Sequence, residues 1–157
     1  KAVGFWRVGG TALQENIMLN EARLFWQTHR DQQLEGLKDF LRIPSISTQL
    51  QHRDDVGRAA DLVAEHLRSL SFTDVAVVPG KVGEHPLIIG QWLGAPGKPT
   101  LLLYAHYDVQ PVDPLDQWVS APFDPQVRDG KLWTTRGNCG FCLRRLKVSS
   151  RAPASFP

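Results

Sequence analysis

The stretch LLLYAHYDVQP, residues 101–111, decides how this sequence is interpreted. Five apolar or aromatic residues lead into His106 and Asp108, which are separated by one residue, and Pro111 ends the stretch. A continuous apolar run is typical of a strand that is covered on both faces, so we predict a buried strand over residues 100–109. Side chains at positions i and i+2 of a strand project from the same face. We therefore expect the histidine and the aspartate to lie side by side just past the carboxyl end of that strand.

The sequence before this stretch predicts a mixed α/β domain. Apolar residues at intervals of three and four predict helices over residues 18–43 and 54–70, and Pro44 ends the first of them. Short apolar runs predict strands over residues 73–79 and 86–94. Helices and strands in this order predict an α/β domain built in layers.

The helix predicted over residues 54–70 has the clearest pattern. We expect Asp54 or Asp55 to cap its N-terminus. Ser71 follows the helix, at a position where a left-handed C-cap would prefer glycine. One apolar stripe runs along the helix and consists of Val56, Ala59, Ala60, Val63, Leu67 and Leu70.

The composition is ordinary for a soluble globular protein. The chain has 157 residues, of which 42% are hydrophobic and 22% charged, enough for one domain with a modest core. No run approaches the roughly 18 apolar residues of a membrane span, and residues 1–16 do not have the pattern of a signal peptide. Cys139 and Cys142 do not form a disulfide framework. We therefore expect a cytoplasmic protein.

The spacing of His106 and Asp108 has a chemical interpretation. An imidazole can ligate zinc through one nitrogen while the other nitrogen donates to a carboxylate, which fixes the tautomer. The same spacing also fits a polar pair at a strand end that binds no metal. The residues alone leave both interpretations open. The long Pro-rich loop that follows favours a functional role, because loops of this length are usually functional or disordered.

A family resemblance narrows the choice. The segment LLLYAHYDVQPVDPLDQWVSAPFDPQVRDGKLW, residues 101–133, resembles the first metal-ligand region of the zinc-dependent aminoacylase and carboxypeptidase family. That family includes the dipeptidases, acetylornithine deacetylase and succinyl-diaminopimelate desuccinylase. HYDVQPVDP, then a tryptophan and PFDP, is most similar to the dipeptidase branch. LKDFLRIPSIST, AADLVAEHLRSLSFTDVAVV and HPLIIGQW match in the same order, so the resemblance covers about residues 18–133.

The resemblance implies a fold, a reaction and two site residues. The fold is a three-layer α/β/α zinc-peptidase-like catalytic domain, here in its N-terminal part only. His106 matches the first zinc-ligand histidine, and Asp108 matches the catalytic aspartate that orients its imidazole. The family hydrolyses an amide bond of a small peptide or N-acyl amino acid with two zinc ions, Zn2+, that share a bridging water. We expect no nucleic-acid or membrane partner, and we expect this chain to lack the lid domain through which the family often forms homodimers.

The family pattern breaks after residue 133. The family has an Arg-Gly pair and then, two residues later, Asp-Asp-Lys-Gly. If Arg136 and Gly137 are that pair, the bridging aspartate falls on Gly140, which offers no side-chain ligand. The catalytic glutamate pair, a further acidic ligand and the distal histidine lie beyond residue 157. We therefore expect this chain, a fragment, to hydrolyse nothing, and the alternative function is a non-catalytic remnant or small binding domain.

These observations predict three segments. Residues 1–17 are an unassigned leader, residues 18–133 are the N-terminal part of a metallopeptidase catalytic domain, and residues 134–157 are a divergent basic tail. Residues 135–157 hold five basic residues and no acid, whereas the rest of the chain holds 13 basic and 16 acidic residues. We interpret this tail as divergent or frame-shifted and disordered.

Two other functions for the tail have less support. Its charge could attract nucleic acid electrostatically, but five charges without a motif are typical of a solvated end. Cys139 and Cys142 form a C-x-x-C pair, whose use in redox chemistry or zinc binding would need a helix N-terminus or a second ligand pair. The sequence shows neither.

Overall fold

A computed structural model describes residues 12–134. The chain divides after Leu37 into two compact units. The described part of the first unit is helical and belongs to α1, which spans Ala12–Leu41. The helix predicted over residues 18–43 is thus confirmed, although it begins earlier and includes residues that the sequence left unassigned. Within the first unit, the apolar side chains of Leu24, Phe25 and Trp26 are each more than half exposed.

The second unit is organised around α2, which spans Arg53–Ser69 and follows a short 3-10 helix over Leu50–His52. Four small apolar side chains, Val56, Ala59, Ala60 and Ala64, are fully buried along one face of α2. The predicted apolar stripe is confirmed at the first three of these. Leu70 is half exposed because it stands at the C-cap, where the helix ends.

The two ends of α2 are formed differently from each other. Neither Asp54 nor Asp55 caps the N-terminus, so that prediction is wrong: the 3-10 helix carries the chain into α2 with His52 at the N-cap, and both aspartates lie in the first turn. At the other end Ser71 adopts a left-handed φ of 62°. The N–H of Phe72 donates to the carbonyl of Leu67 at 3.1 Å, the hydrogen bond that closes a Schellman C-cap.

The first sheet lies against α2. It consists of β1, Thr73–Val78, paired antiparallel with β2, Leu87–Gln91. Both strands agree with the strands predicted from the sequence. Gly90 allows the close packing, because a Cβ there would lie 3.3 Å from Val75 Cγ2 and 3.4 Å from Leu67 Cδ1 on α2.

A second two-stranded sheet is a tight hairpin. It pairs β3, Gln126–Arg128, with β4, Lys131–Trp133, and a 3-10 helix over Leu115–Gln117 precedes it. Asp129 and Gly130 connect the strands with φ of 51° and 70°, the two positive values that a type I′ turn requires and that an Asp-Gly pair accepts.

The buried strand predicted over residues 100–109 is wrong. Residues 100–108 form no regular secondary structure, and the side chains of Leu102, Leu103 and Tyr104 are 64%, 63% and 80% exposed. An apolar run becomes a buried strand only where neighbouring strands and helices cover it. Among residues 12–134, β2 pairs with β1 and no strand pairs with residues 100–108. The α/β class itself is confirmed, with helices and sheets together in the second unit.

Candidate functional site

The structure brings His106 and Asp108 together. The imidazole Nδ1 lies 3.1 Å from Asp108 Oδ1 and 3.1 Å from the backbone carbonyl oxygen of the same residue. A carbonyl oxygen can only accept a hydrogen bond, so Nδ1 carries the proton and donates. In the neutral ring the lone pair is therefore on Nε2, the tautomer in which an imidazole can ligate a metal through that atom. The metal-ligand and orienting roles predicted for the two residues remain predictions.

A loop takes the place of the missing neighbouring strand. The N–H of Val109 donates to the carbonyl of Ser45 at 2.9 Å, and the Ser45 hydroxyl donates to the carbonyl of Tyr107 at 3.0 Å. Ile46 and Val109 form an isolated parallel bridge. Ser45, Ile46 and Val109 are all buried. The segment 106–109 is thus fixed by the loop that begins at Pro44, which explains how its side chains are placed without a sheet.

The same loop supplies a second donor to the aspartate. The hydroxyl of Ser47 donates to Asp108 Oδ2 at 2.5 Å, a length typical of hydrogen bonds from a hydroxyl to a charged carboxylate. Partial burial raises the pKa of Asp108, but the hydrogen bonds from Ser47, His106 and its own backbone, with the charge of the imidazole, outweigh burial and leave the pKa lowered. Asp108 is therefore ionised at neutral pH and accepts a hydrogen bond on each oxygen.

A third segment completes the site. His85 Nε2 donates to the carbonyl of Ser47 at 2.8 Å, and the Tyr107 hydroxyl donates to the carbonyl of Pro86 at 2.5 Å. Burial, and secondarily the negative charge of Asp108, raises the pKa of Tyr107, so its hydroxyl keeps the proton that it donates. The loop containing residues 85 and 86 is thereby tied both to the Ser47 loop and to the segment that carries the His–Asp pair.

Neither Ser47 nor His85 was predicted from the sequence as a site residue. The segment IPSIST was matched to the family without a role for its serines, and His85 belonged to no recognisable constellation. The partners that give them their positions are 61 residues away for Ser47 and 38 for His85. The only local signal in this part of the sequence was Pro44, which indicated that the first helix ends before the loop.

A shallow cavity is lined in part by His85. Its volume is about 410 Å3, and it lies between the first turns of α2 and the loop over residues 79–86. Charged side chains of both signs line it, among them Arg53, Asp61 and Glu84. His106 and Asp108 do not line this cavity, so it is separate from the His–Asp pair.

A charged cluster stands at the start of α2. Asp55 accepts a hydrogen bond from His52 Nδ1 at 2.7 Å and pairs with Arg58 on its other oxygen. The hydrogen bond from His52 and then that from Arg58 hold the pKa of Asp55 below its usual range. All three residues lie within two turns of one helix end, so the cluster is local to the start of α2.

The described residues do not fit a complete zinc site. Structural and catalytic zinc sites have at least three protein ligands. Within residues 12–134, no three His, Cys, Asp or Glu side chains are grouped so that they could hold a metal ion. His106 and Asp108 provide one imidazole and one orienting carboxylate. Cys139, Cys142 and Gly140, which carried the other sequence-based predictions, lie outside the described residues.

Known proteins resemble this chain in sequence. It is 32% identical over 100 residues to the Cys-Gly metallodipeptidase DUG1 of Candida albicans, a match that covers 57% of this chain and 21% of the relative. It is 35% identical over 82 residues to succinyl-diaminopimelate desuccinylase of Polynucleobacter necessarius, covering 49% of this chain and 21% of the relative. No family model matches the chain.

A solved structure is similar to this chain in fold. Human carnosine dipeptidase 1 superimposes with a TM-score of 0.70 at 28% sequence identity, over 81% of this chain and 29% of that structure. The predicted family resemblance is confirmed. This chain is similar in sequence to a metallodipeptidase and to a desuccinylase, and in fold to a dipeptidase.

The relationship covers only part of those proteins. The chain spans about a fifth of the length of the curated relatives that it matches. In the described part of the chain, no helix is both long enough and apolar enough to cross a membrane.

Proposed function

We propose that this chain carries the first part of the active site of a zinc-dependent, dipeptidase-like hydrolase that cleaves an amide bond of dipeptides or N-acyl amino acids. The observation that supports this most directly is the hydrogen bond of 3.1 Å from His106 Nδ1 to Asp108 Oδ1. It places a carboxylate behind an imidazole, the arrangement that commonly orients metal-ligating histidines. The relatives that match the chain include a metallodipeptidase and a desuccinylase.

In this proposal, Asp108 orients the imidazole of His106. The ionised carboxylate of Asp108 holds the imidazole proton on Nδ1 and increases the basicity of Nε2, which improves that nitrogen as a ligand. Zinc bound there would supply Lewis-acid polarisation of an amide carbonyl and an activated water. The described residues contribute too few ligands for a complete zinc site, so we derive no hydrolytic step from this chain alone.

We also propose a cellular location and a class of substrate for this protein. The dipeptidase relatives indicate a small peptide as substrate. Two cysteines that form no disulfide framework suit a reducing compartment, and we propose the cytoplasm. We propose no nucleic-acid or membrane partner, because the sequence contains no motif for either.

A zinc titration tests the proposal. The 157-residue chain is titrated with Zn2+ in a calorimeter, alongside His106→Ala and, as a matched control, His66→Ala, which removes an exposed imidazole from α2. We expect weak zinc binding that is lost in His106→Ala and kept in His66→Ala, because the Asp108 carboxylate orients the imidazole of His106. Hydrolysis of a dipeptide, assayed with zinc added, should stay at background.

Two results would contradict the proposal in different ways. Zinc binding that is the same in wild type and His106→Ala would show that the His–Asp pair is a polar contact in a non-catalytic remnant or binding domain. Two tightly bound zinc ions with turnover abolished by His106→Ala would show that the chain holds a complete active site.

A further inference from the structure

We propose that Ser47 is a positioning residue for the His–Asp pair: its hydroxyl fixes the Asp108 carboxylate and thereby adds to the preference of His106 for the Nδ1-protonated tautomer. This inference rests on the proposed function, in which His106 is the ligand and Asp108 orients it. It adds a residue of the IPSIST loop to the site.

The geometry gives each carboxylate oxygen one side-chain donor. Oδ1 faces the imidazole Nδ1 at 3.1 Å, and Oδ2 accepts from the Ser47 hydroxyl at 2.5 Å. A carboxylate held at one oxygen can still rotate about its Cβ–Cγ bond, because that torsion is broad. Hydrogen bonds at both oxygens define its plane. The shorter of the two comes from the serine, so the serine determines where the other oxygen points.

Ser47 is itself fixed from two sides. His85 Nε2 donates to its carbonyl at 2.8 Å. On the other side, the preceding residue Ile46 is buried and bridges Val109, and Ser45 accepts the N–H of Val109 at 2.9 Å. The hydroxyl therefore projects from a backbone that is tied to the same segment as its target. A side chain on such a support can orient its partner more precisely than one on a free loop.

The consequence of losing the hydroxyl follows from the same contacts. Without Ser47 Oγ, the Asp108 carboxylate keeps its contact with His106 but loses the constraint on its plane. The backbone carbonyl of Asp108 still lies 3.1 Å from Nδ1, but the carboxylate, the second acceptor behind Nδ1, is no longer fixed, so the Nε2–H tautomer competes better with the Nδ1–H tautomer. A lone pair on Nε2, which metal ligation through that atom requires, becomes less populated.

The test reads the tautomer directly. Two-bond 1H–15N correlation spectra of the imidazoles are recorded on metal-free wild type, Ser47→Ala, Ser47→Thr and Thr48→Ala near pH 8, where an unperturbed histidine is neutral. We expect the ratio of Nδ1–H to Nε2–H at His106 to fall about fivefold in Ser47→Ala, the effect of one ordinary hydrogen bond. Ser47→Thr keeps a hydroxyl and should restore the ratio. Thr48→Ala removes an exposed neighbouring hydroxyl and should leave the ratio unchanged.

A structural role alone predicts a different outcome. If Ser47 only stabilises the loop, Ser47→Ala lowers the free energy of unfolding, measured in urea on the same samples, without changing the His106 tautomer. That result would overturn the inference. It would also leave the proposed function intact, because the zinc titration with His106→Ala does not involve Ser47. Conversely, a tautomer shift in a chain whose zinc binding does not depend on His106 would support the positioning role and reject the proposed function.

Discussion

Helix α2 and the run over residues 101–104 are both strongly apolar where the sequence predicts burial, and they differ completely in their surroundings. Val56, Ala59 and Ala60 on α2 have no exposed surface, whereas Leu101 is 49% and Tyr104 80% exposed. The helix has a sheet to pack against, because β1 and β2 both contact it. The run has no neighbouring strand among residues 12–134.

The difference in exposure shows that an apolar sequence is buried only where other elements of the fold cover it. A helix satisfies its backbone hydrogen bonds internally and needs only one packing partner for its apolar face. A strand needs neighbours for its backbone as well as for its side chains. The end of the same stretch confirms this: Val109, 6% exposed, is buried where it bridges Ile46.

The largest expected effect comes from placing a charge in each region. Val56→Asp puts an unpaired carboxylate into a fully buried position and should lower the free energy of unfolding by more than about 3 kcal/mol. Leu102→Asp places the same charge on a side chain that is 64% exposed and should change it by less than about 0.5 kcal/mol. Urea denaturation followed by circular dichroism measures both. Equal losses in the two variants would show that residues 101–104 are covered in solution, and the comparison would fail.

The sequence was sufficient to predict those helices and strands that are determined by local residue patterns. The second helix and the strands β1 and β2 were predicted to within three residues at each end, because helical and strand patterns repeat over a few positions. The exposed state of residues 101–104 was not predictable, because it depends on which strands lie alongside. No pattern within that run distinguishes a covered strand from an uncovered segment.

In the candidate site, too, contacts between residues close in sequence were predictable and contacts between distant residues were not. The proximity of His106 and Asp108 was predicted from their spacing on a strand, and the two side chains are in contact although no strand forms there. Ser47 reaches the same carboxylate from 61 residues away, and His85 contacts a backbone carbonyl that any residue could provide. Contacts of this kind leave no mark on the sequence around them.

A smaller loss of stability is expected from a substitution in the loop that contacts residues 106–109. Ser45 is fully buried, and its hydroxyl donates to the carbonyl of Tyr107. Ser45→Ala leaves that carbonyl without this donor in a partly buried site and should cost about 1.5 kcal/mol. Thr48→Ala, the matched loss of an exposed hydroxyl from the same loop, should change stability by less than about 0.5 kcal/mol. If Ser45→Ala costs no more than its control, the loop does not substitute for a neighbouring strand.

The smallest expected effect concerns the anchored start of α2. Asp55 has its pKa lowered below 3.8 by hydrogen bonds from His52 and Arg58. A carboxyl group whose folded pKa is lowered stabilises the fold fully above its unfolded pKa, and this contribution is lost as pH falls through the folded pKa. Asp55→Asn should therefore cost less than about 1 kcal/mol at neutral pH. The difference in stability between wild type and variant should disappear as the pH is lowered below 3.8.

Asp54→Asn is the control for this last prediction, because it removes the same charge from the same helical turn. Both variants lose the favourable interaction of a negative charge with the helix N-terminus. Only Asp55→Asn also loses the carboxylate that pairs with His52 and Arg58. Urea unfolding of the three proteins across the acid range separates the two contributions. If the two variants have equal stability at every pH, the cluster adds nothing beyond the helix dipole, and the burial of its apolar face alone accounts for the anchoring of α2.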